Sequence, residues 1–160
     1  MVGVTDMASG FSLRVGDVSL RSDAPADLHS VIGSIYFEIG DFTFPARGWT
    51  DRVLTVLESW IFPLRCLFQN QTSQAKLMFA ESSDGIIARA IGGGALELTF
   101  MRDAVEETDE VLRVTVQAAD LVDELARSAE QLRATIQQGG WERLDVHVAE
   151  IRRLRLLLAT

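Results

Sequence analysis

Residues 34–44, Ser34-Ile35-Tyr36-Phe37-Glu38-Ile39-Gly40-Asp41-Phe42-Thr43-Phe44, decide the fold class. Ile35, Phe37 and Ile39 alternate with Ser34, Tyr36 and Glu38, which is the period of a half-buried strand. Gly40-Asp41 fits the two central positions of a type II′ turn, because glycine tolerates a positive φ at the first of them. Phe42 and Phe44 carry the apolar face onward, and Pro45, which lacks a ladder donor, ends the strand. The same signal stands earlier, at Val15-Gly16-Asp17-Val18, with Phe11 and Leu13 before it and Leu20 after it. It predicts a first hairpin ahead of the second.

Beyond Gly48 the period changes from two to 3.6. Thr50 reads as a helix N-cap, Asp51 suits the positive end of the dipole, and Trp49 can staple onto Leu54. Val53, Leu57, Trp60, Ile61 and Leu64 share one helical face, and Pro63 inside that pattern predicts a kink or break near 60–62. The helix should fade by Gln69-Asn70. Three further strands follow in AKLMFAE (75–81), GIIARAI (85–91) and ALELTFM (95–101), joined by turns at Ser82–Gly85 and at Gly92-Gly93-Gly94. The acidic stretch 104–110 reads as a loop, and Leu112, Val114 and Val116 point inward from one more strand. Leu121, Leu125, Ala129 (or Ser128), Leu132 and Ile136 then form a helical stripe closed by Gly139-Gly140. Asp145 caps a last helix that buries Val148, Ile151, Leu154 and Leu158, and residues 21–30 with Pro25 read as a loop. The expected fold is one α+β domain over 1–160. Its sheet is mostly antiparallel and built from hairpins, with two to three helices packed on one face.

Composition narrows the function classes. With 160 residues, 48% of them apolar and 24% charged, the chain can bury a substantial core and is not a disordered segment. No run approaches the roughly 18 apolar residues of a membrane span, so no membrane is implied. The opening MVGVTDMASG lacks the basic and apolar regions of a secretory signal, so a cytoplasmic location is expected. Cys66, the single cysteine, cannot close an internal disulfide and fits a reducing compartment. The net charge of −8 opposes nucleic-acid binding, and steers the chain toward a basic protein partner.

Reaction chemistry finds little footing. His29, His147 and Cys66 are scattered and show neither Cys-x-x-Cys nor His-x-x-x-His spacing, so no metal and no cofactor are expected. Cys66 follows an apolar helical stripe and reads as a small core filler, not as a nucleophile. Ile91-Gly92-Gly93-Gly94 lacks the lysine of a phosphate loop and leads into a strand. No catalytic residue emerges. The strongest polar feature is the group Asp103, Glu106, Glu107, Asp109 and Glu110, flanked by Arg102 and Arg113. It reads either as a solvated loop or as a docking element for a basic surface, with Glu81 and Asp84 as a second acidic turn.

The run Gly33 to Trp60, GSIYFEIGDFTFPARGWTDRVLTVLESW, resembles a group of small bacterial proteins with the pattern F-x-I-G-D-F-x-F-P-x-x-G-W-x-D ahead of an apolar helix. Gly140-Trp141, before a leucine-rich terminal helix, is similar to that group's ending. Where the group carries an F-M-D-G-P-Y-like turn, this chain has Phe79-Ala80-Glu81-Ser82-Ser83-Asp84. Small acidic α+β proteins of this sort resemble the immunity proteins of bacterial toxin systems. The resemblance implies a non-enzymatic inhibitor that occludes the active site of a basic toxin domain. Asp103, Glu106, Glu107, Asp109, Glu110, Glu81 and Asp84 would form its contact surface. The alternatives are an assembly module that forms a homodimer through a sheet edge or the terminal helix, and a small hydrolase or ligand-binding domain with a pocket lined by Asp51, His29 or Cys66.

Overall fold

Alternating segments of this chain build two separate sheets. The computed structural model describes residues 4–5, 10–20, 31–136 and 143–158. The strands are β1 (Val4–Thr5), β2 (Phe11–Leu20), β3 (Val31–Ile39), β4 (Phe42–Phe44) and β5 (Thr50–Asp51). After helix α1 (Val53–Phe68) come β6 (Gln74–Met78), β7 (Gly85–Gly92), β8 (Ala95–Asp103) and β9 (Thr108–Gln117), then α2 (Ala118–Ile136) and α3 (Arg143–Leu158). One sheet has the order β1-β9-β8-β7-β6, and the other runs β2-β3-β4 with β5 also on β3. Pairing is antiparallel except where β1 adds parallel to β9. The fold is α+β, with antiparallel sheet and three helices.

The two Gly-Asp signals have different outcomes. Ile39 pairs with Phe42 across Gly40-Asp41, and only the glycine of that pair has a positive φ, 58°, as a type II′ turn needs. At Gly16-Asp17 the expected hairpin is absent. Strand β2 runs straight through, and the pairing with β3 shifts between Gly16↔Ser34 and Ser19↔Ile32. This is a β-bulge, with Asp17 rather than Gly16 in the left-handed region at φ 48°. Gly33 makes room for it, since a Cβ there would sit 2.8 Å from the Gly16 carbonyl oxygen. Val18 to Leu20 therefore continue the first strand and do not return as a second one.

Helix α1 also departs from expectation at its start. Thr50 and Asp51 belong to β5, and the N-cap is Arg52, with no side-chain cap. Trp49 lies ahead of the helix and half-buried, where its indole serves Asp51. Pro63 does not break the helix, which is continuous to Phe68. The carbonyl that Pro63 leaves without its N–H belongs to exposed Ser59, where water can serve it. Asn70, with φ 59°, closes the C-terminus as a left-handed residue should, and Gln71 N donates to Cys66 O at 2.9 Å.

The core is one cluster drawn from both sheets and all three helices. Leu77, Ile86, Leu98, Phe100 and Val114 line the inner face of the five-stranded sheet. Phe37, Phe42 and Phe44 of the smaller sheet meet Phe100 edge-on at 5.9, 5.8 and 5.2 Å between centroids. Trp60 stacks on Phe37 and donates from Nε1 to the Met78 carbonyl at 2.7 Å, so its polar atom is satisfied despite complete burial. Each such fully buried large side chain contributes about 1.5–3 kcal/mol of transfer free energy. Leu121, Leu125, Ala129 and Leu132 of α2 and Val148, Ile151 and Leu154 of α3 are buried as their spacing predicts, whereas Leu158, expected with them, is only partly buried at the helix end. Among the described residues no helix is long and apolar enough to cross a membrane. The expectations for 21–30, His29, Gly139-Gly140 and Trp141, and for the side chains of Ile136, Asp145 and His147, lie outside the described residues.

Candidate functional site, an acid-bearing end of the larger sheet

Two turns meet at one end of the five-stranded sheet. The turn after β6 holds Glu81 and Asp84, and the turn after β8 holds Glu106 and Glu107. The Ala104 amide donates to the Ser83 carbonyl at 2.9 Å, which ties one turn to the other. The sequence-predicted acidic groups are thus neighbours in space. The loop is shorter than its composition suggested, because Asp103 ends β8 while Asp109 and Glu110 already lie on β9. Within the turn, Asp103 Oδ1 accepts from the Glu106 amide at 3.0 Å, and Glu107 adopts φ 56°.

A buried carboxylate holds the first turn in place. Asp51 is only 1% exposed, and its Oδ2 accepts from Trp49 Nε1 at 3.0 Å, Ala80 N at 3.1 Å and Glu81 N at 3.3 Å. Its Oδ1 accepts from Arg52 N at 2.7 Å. Gly48-Trp49-Thr50-Asp51 is therefore a clamp: the tryptophan and two turn amides converge on one carboxylate. Charge-assisted hydrogen bonds of this kind are about twice as strong as neutral ones. The sequence reading assigned Asp51 to a helix dipole. Only the register of β5 on β3, Gly33↔Asp51, turns it toward residues 80–81.

Arg102 ties in the smaller sheet. Its Nη1 donates to the Pro45 carbonyl at 2.7 Å and to Asp84 Oδ2 at 3.3 Å, and its guanidinium lies 5.0 Å over the Phe44 ring. Residues 44–52, 79–84 and 102–107 thus form one braced surface.

Charge on that surface is partly spent internally. Arg52 Nε lies 2.9 Å from Glu81 Oε1, and Lys76 Nζ lies 3.3 Å from Glu107 Oε1. Arg113 Nε donates to Glu110 Oε1 at 3.1 Å. A bulge between Phe100 and Met101 puts Glu110 and Arg113 on the same face of β9, although they are three residues apart. That hydrogen bond, and the negative charge behind it, raise the Arg113 pKa above its ordinary value. Of the seven acids singled out from sequence, Glu81, Asp84, Glu107 and Glu110 have intramolecular cations. Among the described residues Asp103, Glu106 and Asp109 have none, and Glu106 and Asp109 are exposed. Val105, 63% exposed, stands beside Glu106 in the turn.

Among the described residues no three His, Cys, Asp or Glu side chains are grouped to hold a metal ion, and Cys66 is buried on α1. Comparison with known proteins brings out no match: no family model, no curated protein and no solved structure is similar to the chain.

Proposed function

We propose that this protein acts by binding, as an immunity protein that covers the active site of a basic toxin domain with the acid-bearing end of its larger sheet. The observation that carries the reading is the bracing of the two acidic turns. Ala104 N to Ser83 O joins them, and Asp51 and Arg102 fix them to the core. A surface ordered before binding loses less conformational entropy on association. Glu106 and Asp109 are the side chains with charge left to offer a partner, and exposed Val105, next to Glu106, supplies apolar contact area. The net charge of −8 adds long-range attraction toward a cationic surface.

The test starts from the neighbouring reading frames: where one encodes a toxic domain, growth of cells that express both scores its neutralisation, and neighbours that encode none count against the proposal. Glu106→Lys with Asp109→Lys should abolish protection while the variant remains folded by circular dichroism. Reversal at Glu107 or Glu110 is a poorer test, because each also breaks an internal ion pair. Full protection by the double variant would contradict the proposal.

A further inference from the structure

Strand β2 is an outer strand: β3 pairs with one side, and among the described residues no strand pairs with the other. In an antiparallel ladder alternate residues turn their N–H and C=O groups outward, here Phe11, Leu13 and Val15. Such a row is a template for another strand. Helix α2 crosses it instead. Leu13 N donates to Glu124 Oε2 at 3.3 Å, and Leu13 O accepts from Arg127 Nη2 and, at 3.4 Å, from Ser128 Oγ. Val15 O accepts from Gln131 Nε2 at 3.0 Å. The four helix positions have the spacing i, i+3, i+4, i+7, so they form one face. Glu124 and Arg127 also pair with each other at 3.0 Å, which orients both.

We infer that this row of side chains is an edge guard, occupying the place of a strand, and that the occupant it excludes is β2 of a second copy of the chain. An antiparallel pair centred on Leu13 sets Leu13 opposite its symmetry mate and Phe11 opposite Val15. That register serves the guarded groups in full: each Leu13 exchanges both bonds with its mate, and the Phe11 amide reaches the Val15 carbonyl. It places Arg14 opposite Ser12 and avoids setting like charges face to face. The bulge at Gly16/Ser19 limits the pairing to the segment before it. This device is independent of the binding role proposed above.

The experiment is light scattering over a concentration series on the full chain carrying Glu124→Ala, Arg127→Ala, Ser128→Ala and Gln131→Ala, which frees every guarded group. The parent should keep the mass of one chain. The quadruple variant should approach the mass of two, with exchange at the Leu13 amide slowing about tenfold as the dimer fills. Adding Ser12→Lys, which puts a second cation opposite Arg14, should restore the single-chain mass. A folded quadruple variant that stays at one chain, a dimer indifferent to Ser12→Lys, or a parent already dimeric through β2 would overturn the inference. Should the quadruple variant fail to fold, Glu124→Ala with Arg127→Ala and Ser128→Ala still frees both groups of Leu13, and absence of any concentration-dependent mass increase would overturn it equally.

Discussion

Asp51 and Asp109 carry the same carboxylate to opposite ends. Asp51 is buried, and four donors converge on it. Asp109 is exposed at φ 62° and has no cation partner among the described residues. One acid is part of the scaffold, and the other keeps its charge exposed to solvent. The difference shows that an acidic protein's charges are not one pool: most of those at this end of the sheet are already matched internally.

Substitutions should separate the two groups by size of effect. The largest loss is expected from Asp51→Ala, which strands the Trp49 indole and three amides. At about 1–3 kcal/mol for each buried donor left unmet, offset by water where it can enter, urea denaturation should show a loss of about 3–4 kcal/mol. Asp51→Asn should cost less, about 1–2 kcal/mol. With its carbonyl at the Oδ2 position, serving three donors, its amide would face the Arg52 N–H, donor against donor. Arg102→Ala removes the bond to the Pro45 carbonyl, the Asp84 pair and the contact with Phe44, and should lower stability by about 1–2 kcal/mol. Glu106→Gln with Asp109→Asn should leave stability within about 0.5 kcal/mol of the parent. A large loss from that last pair would erase the distinction between the two groups.

Much of this arrangement was legible in the residues. Alternation placed β7 and β8 within about two residues and β3 and β6 within about three, and helical spacing found the buried faces of α1 and α2. What could not be read locally was decided by partners far away in sequence. Gly16-Asp17 looks like Gly40-Asp41, yet Val18 to Leu20 kept pairing with β3, and Gly33 opened the space for a bulge. Asp51 looks like a helix-capping acid until residues 80–81 arrive beside it. The acidic cluster was visible from composition, whereas its internal neutralisation depended on Arg52 and Lys76, which stand 29 and 31 residues before Glu81 and Glu107 in the chain. Parallel pairing of β1 with β9 joins residues 4–5 to 113–114, and nothing near either segment announces it.

The most direct measurement is calorimetric titration of a toxin domain neutralised in the growth assay into the parent and into the Glu106→Gln/Asp109→Asn variant at low and high salt. The account predicts that the parent loses affinity steeply as salt rises, and that the variant binds about tenfold more weakly at low salt with a shallower salt dependence. Equal affinities and equal salt slopes for the two proteins would contradict it.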